Sequence, residues 1–281
     1  MKTARLGYGC AGLMRIPSGR KRQDLLAATL DAGIAHFDTA RMYGLGAAEA
    51  ELGRFARGRR DRMTIATKFG IEPTPTSWMT RLQRPARALL ARFPALRKAV
   101  KRREGMLHEP HRYDVATARA SLERSLAELG TDYLDFFFVH DPQPEDEVPF
   151  EDLREFLDGE RQAGRILAWG VAGEARPAAT AAGFGVPVVV QARQDVFSRA
   201  QEPPAQIAFG VLARALARIL EHVGSSEDVA HRWAEATGED CRDSDVVTRL
   251  LLQDALQANP AGAVLFTTTR RDRVGLAAGA L

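Results

Sequence analysis

The 281-residue sequence predicts a single α/β domain, a (β/α)8 barrel of the TIM type with long loops after strands 3 and 7. The length suits this fold, since an α/β barrel often uses about 250 residues as one domain. Short apolar strands alternate with amphipathic helical patterns along most of the chain, and no Pro/Ser-rich linker divides it. Eight such strands can be counted, which is the number that closes a barrel.

A helix–glycine–strand unit recurs three times. The predicted helices 22–32, 114–129 and 150–163 end at Gly33, Gly130 and Gly164, and an apolar strand follows each of them. Glycine is the favoured residue just after a helix because it adopts the left-handed conformation at no steric cost. This order is typical of βαβ units and therefore of a parallel sheet.

The eight strands and the two longest connections set the expected layout. The strands are predicted near residues 4–8, 34–38, 64–68, 133–140, 166–171, 187–191, 206–210 and 263–267. The connections 69–112 and 212–245 both follow a strand, and such loops lie at the catalytic face of a barrel. We therefore predict a barrel over residues 1–281, with 69–112 as a basic lid-like insertion and 212–245 as a second lid or pocket wall.

The opening glycines favour a different fold at first sight. Residues 7–12, GYGCAG, spell the dinucleotide-binding pattern G-x-G-x-x-G, and the acid Asp38 follows at the end of a predicted strand. In a Rossmann fold the third glycine opens a helix, whose N-terminus binds the pyrophosphate. Here LMRIPSGRK, with Pro17 and Gly19, precedes any helical pattern. We therefore prefer the barrel to the Rossmann fold and predict that this stretch is the first strand with its loop.

Composition indicates an ordinary globular protein. Hydrophobic residues make up 45% of the chain and charged residues 27%. The two cysteines, Cys10 and Cys241, form neither a metal-binding spacing nor a disulfide framework, which suits a reducing compartment. No apolar run resembles a signal peptide or reaches the length of a transmembrane helix. These features predict a soluble, cytoplasmic protein without a transmembrane segment.

The positive charge is concentrated in one segment. Residues 81–103 contain nine Lys or Arg and no acid, so that removing nine charges from the net +3 leaves −6 for the rest. This distribution argues against a nucleic-acid-binding surface spread over the protein. The segment is also amphipathic, and two interpretations stay open. It packs on the barrel rim with its charges in water, or it contacts an anionic substrate, an acidic partner or a membrane surface.

Four ionisable residues fall at or just beyond the ends of predicted strands 2, 3 and 4. They are Asp38, Tyr43, Lys68 and His140. A lysine ammonium lowers the pKa of a neighbouring phenol from its usual value near 10, and an acid keeps a buried lysine charged. A histidine beside the phenol can orient a carbonyl oxygen. The set is suited to protonating that oxygen while hydride reaches the carbon, and nothing in it indicates a metal site.

The segments that carry these residues also resemble a known family. HFDTARMYG, IATKFG and DYLDFFFVHDP are similar to the signature regions of the aldo-keto reductase superfamily. The resemblance extends over nearly the whole chain. It implies an (α/β)8 barrel, an NADP(H)-linked carbonyl/alcohol reaction and a catalytic tetrad at Asp38, Tyr43, Lys68 and His140. The stretch FDTARMYGLGAAEAELG is most similar to the bacterial branch with aldose dehydrogenases and pyridoxal-type reductases.

The resemblance also implies where the nicotinamide end of the cofactor binds. Gln191 matches the glutamine that binds the carboxamide, and Phe209 takes the place of a stacked tyrosine. Ala172 and Gly173 stand where the family usually has Ser-Asn, so that two side-chain contacts are lost. The full set expected at this end is Gly9, Cys10, Ala11, Asp38, Ala172, Gly173, Gln191 and Phe209.

The C-terminal segment is similar to the family's binding site for the adenosine phosphate. Thr267, Thr269, Arg270 and Arg273 are the residues implied, because arginine makes charge-assisted contacts with phosphate oxygens. Thr267 replaces a usual glycine, and Ala277 stands where an asparagine commonly contacts adenine. For the substrate pocket we expect Trp78 and Met79 as walls beside Tyr43 and His140.

These residues predict an NADP(H)-dependent oxidoreductase that interconverts an aldehyde or ketone and an alcohol by direct hydride transfer. Tyr43 is the expected general acid/base, and a small-molecule carbonyl or alcohol is the expected partner. Two alternatives stay open. One is an NADP(H)-binding regulatory or sensor protein of low turnover, favoured by the changes at Ala172, Gly173 and Ala277. The other is a non-redox barrel lyase or dehydratase that uses the same Tyr, Lys and His.

Overall fold

Eight parallel strands close into one barrel in sequence order. The structure, a computed structural model, describes residues 4–73, 111–174, 176–198 and 205–281. The strands are β1 (Leu6–Gly9), β2 (His36–Asp38), β3 (Thr64–Phe69), β4 (Leu134–His140), β5 (Ile166–Gly173), β6 (Val189–Arg193), β7 (Ile207–Phe209) and β8 (Ala263–Phe266). Strand β8 pairs with β1, which closes the barrel. The predicted fold class and the position of each predicted strand are confirmed.

Helices follow the strands as the alternating pattern predicts. They are α1 (Gly19–Asp31), α2 (Ala47–Ala56), α3 (Val115–Leu129), α4 (Phe150–Gln162), α5 (Pro177–Gly183), α6 (Ala215–Val223), α7 (Glu227–Thr237), α8 (Ser244–Ala258) and α9 (Asp272–Ala278), with 3-10 turns at Cys10–Arg15 and Arg60–Arg62. Local capping sets their ends: the Asp114 carboxylate accepts the Thr117 N–H at 2.8 Å, and Gly130 ends α3 in the left-handed conformation. None of these described helices is long and apolar enough to cross a membrane.

The strands separate an inner from an outer apolar layer. One buried cluster, which includes Ala66, Phe136, Phe138 and Leu265, lies inside the barrel. A larger cluster holds the intervening strand positions and the apolar faces of helices. Because side chains alternate between the two faces of a strand, each strand carries an inward row that ends at the C-terminal rim. The polar residues that end these rows therefore share one face of the barrel.

The glycines of the opening stretch serve strand packing. Strand β1 runs into a 3-10 turn, and α1 begins only at Gly19, so that no α-helix starts at Gly12. A Cβ at Gly9 would lie 2.7 Å from Thr267 Oγ1, and one at Gly7 would lie 2.6 Å from Leu265 Cδ2. Side chains of β8 and the loop after it thus approach the β1 backbone at both positions. The G-x-G-x-x-G pattern reflects this close approach, and the Rossmann fold is excluded by the closed barrel.

The two long connections that were predicted as lids, 69–112 and 212–245, differ in what the structure shows of them. Most of the 69–112 insertion, with the basic segment 81–103, lies outside the described residues, so its lid role stays a prediction. The expectation that 212–245 forms a lid or pocket wall is wrong for most of its length. Helices α6 and α7 pack with α8 around a separate apolar cluster. The reason is the apolar face of α6, where Ala215, Ile219 and Val223 are buried and need a partner helix.

Candidate active site

The C-terminal ends of the inward rows line one cavity of about 600 Å³. Its position is the one at which enzymes with this fold carry their active sites. Residues predicted from the sequence make up much of its wall: Gly9, Ala11, Asp38, Tyr43, Lys68, His140, Ala172, Gly173, Gln191, Phe209 and Thr267. Residues from all eight strands, or from the turns that follow them, thus converge on one site, as expected from the parallel register.

A buried ion pair forms the floor of the cavity. Lys68 Nζ lies 2.6 Å from Asp38 Oδ1 and also donates to the Thr39 carbonyl oxygen at 2.8 Å. Both charged side chains are almost fully buried. Burial by itself lowers the pKa of Lys68, but the charge and the hydrogen bond of Asp38, with a further contribution from Tyr43, outweigh burial, and the net pKa is raised. Lys68 is therefore held in its ammonium form.

Tyr43 lies above this pair on the loop between β2 and α2. Lys68 Nζ is 5.2 Å from the centroid of the Tyr43 ring. The pKa of Tyr43 is raised overall, because burial of the phenol outweighs the lowering effect of Lys68. Lys68 lowers the pKa of Tyr43, as expected from the sequence. The expected net lowering of that pKa is wrong, because burial raises it by more. In this structure Tyr43 is a protonated phenol beside an ammonium.

His140 faces Tyr43 across the cavity floor. The two ring centroids are 6.1 Å apart, with the ring planes at 82° to one another. His140 ends β4, and its carbonyl oxygen accepts a hydrogen bond of 2.7 Å from the Tyr113 hydroxyl. The Tyr113 ring in turn packs against Gly70, where a Cβ would lie 2.2 Å from ring atom Cε1. Tyr113 therefore anchors the end of β4 to the end of β3.

Gln191 extends the polar floor toward β6. Its Nε2 donates to Asp38 Oδ2 at 3.1 Å, while Oε1 is buried and has no hydrogen-bond partner among the described residues. A buried carbonyl oxygen without a donor costs free energy, and an amide N–H of a bound ligand would satisfy it. Phe209, on the neighbouring strand β7, also lines the cavity and offers an aromatic face. These two residues fit a planar carboxamide-bearing ring.

Asp141 occupies the space that the small residues at the end of β5 leave open. A Cβ on Gly173 would lie 2.6 Å from Asp141 Oδ1, and the Asp141 N–H donates to the Ala172 carbonyl oxygen at 2.6 Å. Asp141 adopts a positive φ of 49° and lines the cavity. Sequence reasoning did not select it, although it directly follows His140, because its role depends on the adjacent strand.

Among the residues that the structure describes, three further charged or titratable side chains line the cavity and were not selected from the sequence. They are His111, Glu174 and Arg193. His111 Nδ1 is 2.8 Å from Asp146 Oδ2. A signal for Arg193 was present, since it lies two residues beyond Gln191 and so continues the same inward row. Glu174 follows the last residue of β5, and its position becomes apparent only from the barrel.

Other predicted site residues lie elsewhere. Cys10 is fully buried, and burial raises the pKa of its thiol. Arg270 pairs with Asp272, and Arg273 Nη2 lies 3.1 Å from Asp245 Oδ1, both beyond the cavity wall. Thr269 is near Gly12, at 3.7 Å from where a Cβ of that glycine would lie.

The predicted pocket walls Trp78 and Met79 are outside the described residues. No group of His, Cys, Asp or Glu within the described ranges is arranged to hold a metal ion.

A buried polar network holds the loop that carries Tyr43. The Glu49 carboxylate, in the first turn of α2, accepts hydrogen bonds of 2.7 Å from Thr67 Oγ1 and Ser125 Oγ, and it pairs with Arg41. Arg41 lies two residues before Tyr43, and Thr67 directly precedes Lys68. The network therefore ties the Tyr43 loop to the strand of Lys68.

With this geometry in place, comparison with known proteins identifies relatives. D-threo-aldose 1-dehydrogenase of a Pseudomonas species is 32% identical over 177 residues, which are 59% of this chain and 49% of that protein. Aldo-keto reductase yakc [NADP(+)] of Schizosaccharomyces pombe is 31% identical over 166 residues, or 57% of this chain and 40% of that protein. In these matches the chain spans about half or less of the length of its curated relatives.

Solved structures share the fold over almost the whole chain. A glycerol dehydrogenase of Gluconobacter oxydans has a TM-score of 0.70 at 18% identity, covering 99% of this chain and 86% of that one. An aldo-keto reductase of Klebsiella pneumoniae in complex with NADPH has a TM-score of 0.63 at 20% identity, covering 98% and 84%. At such identities the likeness shows the fold. The family model of the Aldo/keto reductase family matches residues 5–206, more than half of the sequence, and the chain therefore belongs to that family.

Proposed function

We propose that the chain is an NADP(H)-dependent oxidoreductase that interconverts an aldehyde or ketone and an alcohol. The observation that carries this proposal is the cavity floor, where the Tyr43 phenol, the Lys68 ammonium paired with Asp38 and the His140 ring converge. Family membership supports it, as do relatives whose names include an aldose dehydrogenase and an NADP(+)-linked reductase. The substrate class is proposed no more narrowly than a small carbonyl compound or alcohol.

The cavity residues fit the nicotinamide end of the cofactor. Gln191 Oε1 is the buried acceptor that the carboxamide N–H₂ would satisfy, and Phe209 would stack on the ring. When bound, the nicotinamide supplies or accepts the hydride at the substrate carbon. For the adenosine phosphate we propose Thr269, Arg270 and Arg273. The ion pairs of both arginines are solvent-accessible, so that phosphate oxygens can replace the carboxylates at small cost.

Proton transfer belongs to the chain's own residues. In reduction the Tyr43 hydroxyl gives its proton to the carbonyl oxygen, and in oxidation the phenolate takes it back. The Lys68 ammonium stabilises the phenolate that remains, and Asp38 keeps Lys68 charged. His140 orients the carbonyl oxygen beside Tyr43. Because the pKa of Tyr43 is raised, its hydroxyl carries the proton that it donates to the carbonyl oxygen in reduction.

Replacing Tyr43 by Phe tests this mechanism. The variant keeps the ring and removes the acidic hydroxyl, so that we expect kcat for NADPH-dependent aldehyde reduction to fall by about 10²–10⁴-fold. The dissociation constant of NADPH, followed by fluorescence titration, is expected to stay within about twofold, since no cofactor contact is removed. Turnover at the wild-type level in Tyr43→Phe would contradict the role of Tyr43.

The same titration on the wild-type protein separates the alternatives. NADPH binding followed by oxidation on addition of aldehydes supports the reductase. Binding without oxidation across a panel of carbonyl compounds would favour a sensor of low turnover. Absence of NADPH binding would refute the proposal and favour a non-redox lyase or dehydratase at the same site.

A further inference from the structure

We propose that Arg193 is a receptor for an oxyanion group of a bound ligand, and that Glu174 competes with the ligand for the same guanidinium. The ligand group is a phosphate or a carboxylate. This inference rests on the proposed function, since it assigns a role to two further residues of the same cavity. Neither residue takes part in the proton transfer described above.

The guanidinium of Arg193 lies inside the cavity wall between two strands. Arg193 ends β6, and its register partner on β7 is Phe209. Its Nη2 pairs with Glu174 Oε1, and its Cζ lies 5.6 Å from the centroid of the Phe209 ring. All three side chains line the cavity. A ligand whose ring packs on Phe209 would therefore have the guanidinium beside it.

The surroundings leave room for the guanidinium and leave part of its donor capacity unused. A Cβ on Gly210 would lie 2.9 Å from Arg193 Nη1, so that the missing side chain provides the space. Gly210 also has a φ of +74°, a conformation that glycine adopts without strain. Arg193 Nε is buried and has no hydrogen-bond partner in the described part of the chain. The observed acceptor, Glu174, thus engages only one edge of a five-donor group.

The Glu174 carboxylate can leave the Arg193 guanidinium at a small cost in free energy. Its side chain is 52% exposed, against 22% for Arg193. An ion pair with one such solvated partner is worth little, and the released carboxylate returns to water. The backbone of Glu174 stays in place, because its N–H donates to Asp141 Oδ1 at 2.7 Å. An oxyanion that binds in bidentate fashion would gain two charge-assisted hydrogen bonds in exchange for one.

Two sources can deliver such a group. One is the diphosphate of the dinucleotide cofactor, since Phe209 is the proposed stacking partner of the nicotinamide. The other is a carboxylate or phosphate on the carbonyl substrate. In both cases the Arg193 guanidinium binds negatively charged oxygens. Measurements of cofactor binding and of substrate selectivity distinguish the two sources.

The decisive variants change the two partners separately. Arg193→Met removes the charge and keeps most of the stem, and Glu174→Gln removes the competing charge. Arg218→Met is the matched control, because Arg218 Cζ lies 4.2 Å from the Phe197 ring centroid at an exposed position away from the cavity. Circular dichroism and thermal melting confirm that each variant is folded.

The first arm measures NADPH binding by fluorescence titration. If the cofactor is the source, we expect Arg193→Met to raise the dissociation constant by about tenfold, equivalent to about 1.4 kcal/mol. Glu174→Gln is expected to lower it by about threefold, since a competitor worth a fraction of a kcal/mol is removed. Arg218→Met stays at the wild-type value. Opposite signs are the signature of competition, because a merely structural ion pair would weaken binding when either partner is lost.

The second arm compares two aldehydes of equal length, succinic semialdehyde and butanal. If the substrate is the source, the ratio of their kcat/KM values falls about tenfold in Arg193→Met and rises in Glu174→Gln, while the NADPH dissociation constant is unchanged. The proposal is overturned if the two variants act in the same direction, or if neither arm responds to them.

Failure of the proposed function would look different. In that case wild-type protein does not bind NADPH at all. The receptor is then tested with inorganic pyrophosphate and succinate by isothermal titration calorimetry on the same variants. Opposite effects of Arg193→Met and Glu174→Gln on the dissociation constant of either anion support the receptor, and equal or absent effects on both overturn it.

Discussion

Lys68 stays charged in a buried site mainly because of Asp38. Asp38 Oδ1 lies 2.6 Å from Lys68 Nζ, and its charge offsets the burial that would otherwise lower the pKa of the amine. Tyr43 shows the opposite balance, in which burial outweighs the lowering effect of Lys68. Burial acts on both groups, and the number and distance of opposite charges decides the net direction. The protonation state of the site is thus set by single contacts.

Asp38→Asn is therefore expected to lower the pKa of Lys68. The ammonium then titrates at lower pH, so that the alkaline limb of the kcat profile for aldehyde reduction moves to lower pH. Rates measured from pH 6 to pH 11 in the variant and the wild type check this, since the raised pKa of Lys68 places the wild-type limb at the alkaline end of that range. Asp31→Asn, on the exposed end of α1, is the control and keeps the wild-type profile. Coincident alkaline limbs in Asp38→Asn and wild type would refute the role of Asp38.

Helix α2 orders the site through a single side chain. Glu49 is fully buried and accepts from Thr67 on β3 and Ser125 on α3, in addition to Arg41. Three elements and one loop therefore meet at one carboxylate. Its place in the first turn of the helix is favourable, because the positive end of the helix dipole lies there. The buried charge is balanced mainly by Arg41, whose own burial is nearly complete.

Glu49→Gln is expected to lower the free energy of unfolding by about 3 kcal/mol, because it leaves the buried Arg41 without its main counter-charge. Arg41 keeps two more distant acids, Glu72 at 3.4 Å and Glu128 at 3.5 Å, which limit the loss. Urea denaturation of variant and wild type measures the difference. Glu235→Gln, which breaks the exposed pair with His231, serves as control and should cost under about 0.5 kcal/mol. Equal losses in both variants would show that the network contributes no more than a surface pair.

The interior of the barrel encloses a neutral histidine. His36 is fully buried, its Nδ1 lies 2.8 Å from Thr64 Oγ1, and its ring meets the Phe136 ring edge to face. Burial lowers the pKa of His36 to about 4, against the raising effects of Asp38 and Asp135 and together with the lowering effect of Lys68. Protonation of this ring is thus coupled to opening of the barrel.

The unfolded chain binds a proton at this histidine below its ordinary pKa of 6.5, whereas the folded chain does so only near pH 4. The contribution of neutral His36 to the free energy of unfolding is therefore fully present above pH 6.5. It is lost as the pH drops toward 4, by about 3 kcal/mol in total. His36→Leu should flatten this dependence, whatever its effect at pH 7. Denaturation curves at pH 7, 6, 5 and 4.5 test this against His231→Leu, an exposed control. A slope that His36→Leu leaves unchanged would contradict the assignment.

The barrel fold and several of its site residues could be predicted from local sequence patterns. The alternation of apolar strands with helices that end at Gly33, Gly130 and Gly164 predicts the barrel, since strand and helix periodicity depend on neighbouring residues only. Asp38, Lys68 and His140 were predicted because each ends an apolar strand. Asp141, Glu174 and Arg193 were not, because their importance depends on which strands are adjacent. The pocket-wall prediction for 212–245 holds at Leu212 and Ala213 and was wrong for most of the segment, as only packing shows which helix covers the apolar face of α6.

The fold class, the order of the elements and the residue types that end the inward rows could be predicted from the amino acids alone, since periodicity and capping are properties of short segments. Closure of the barrel sets the contacts between segments that are distant in sequence. It brings Lys68 within hydrogen-bonding distance of Asp38, gives Tyr43 a raised pKa, and leaves Arg193 beside Phe209 with an unused donor. Electrostatic balance and burial depend on distances between groups remote in sequence, and periodicity and capping do not encode those distances.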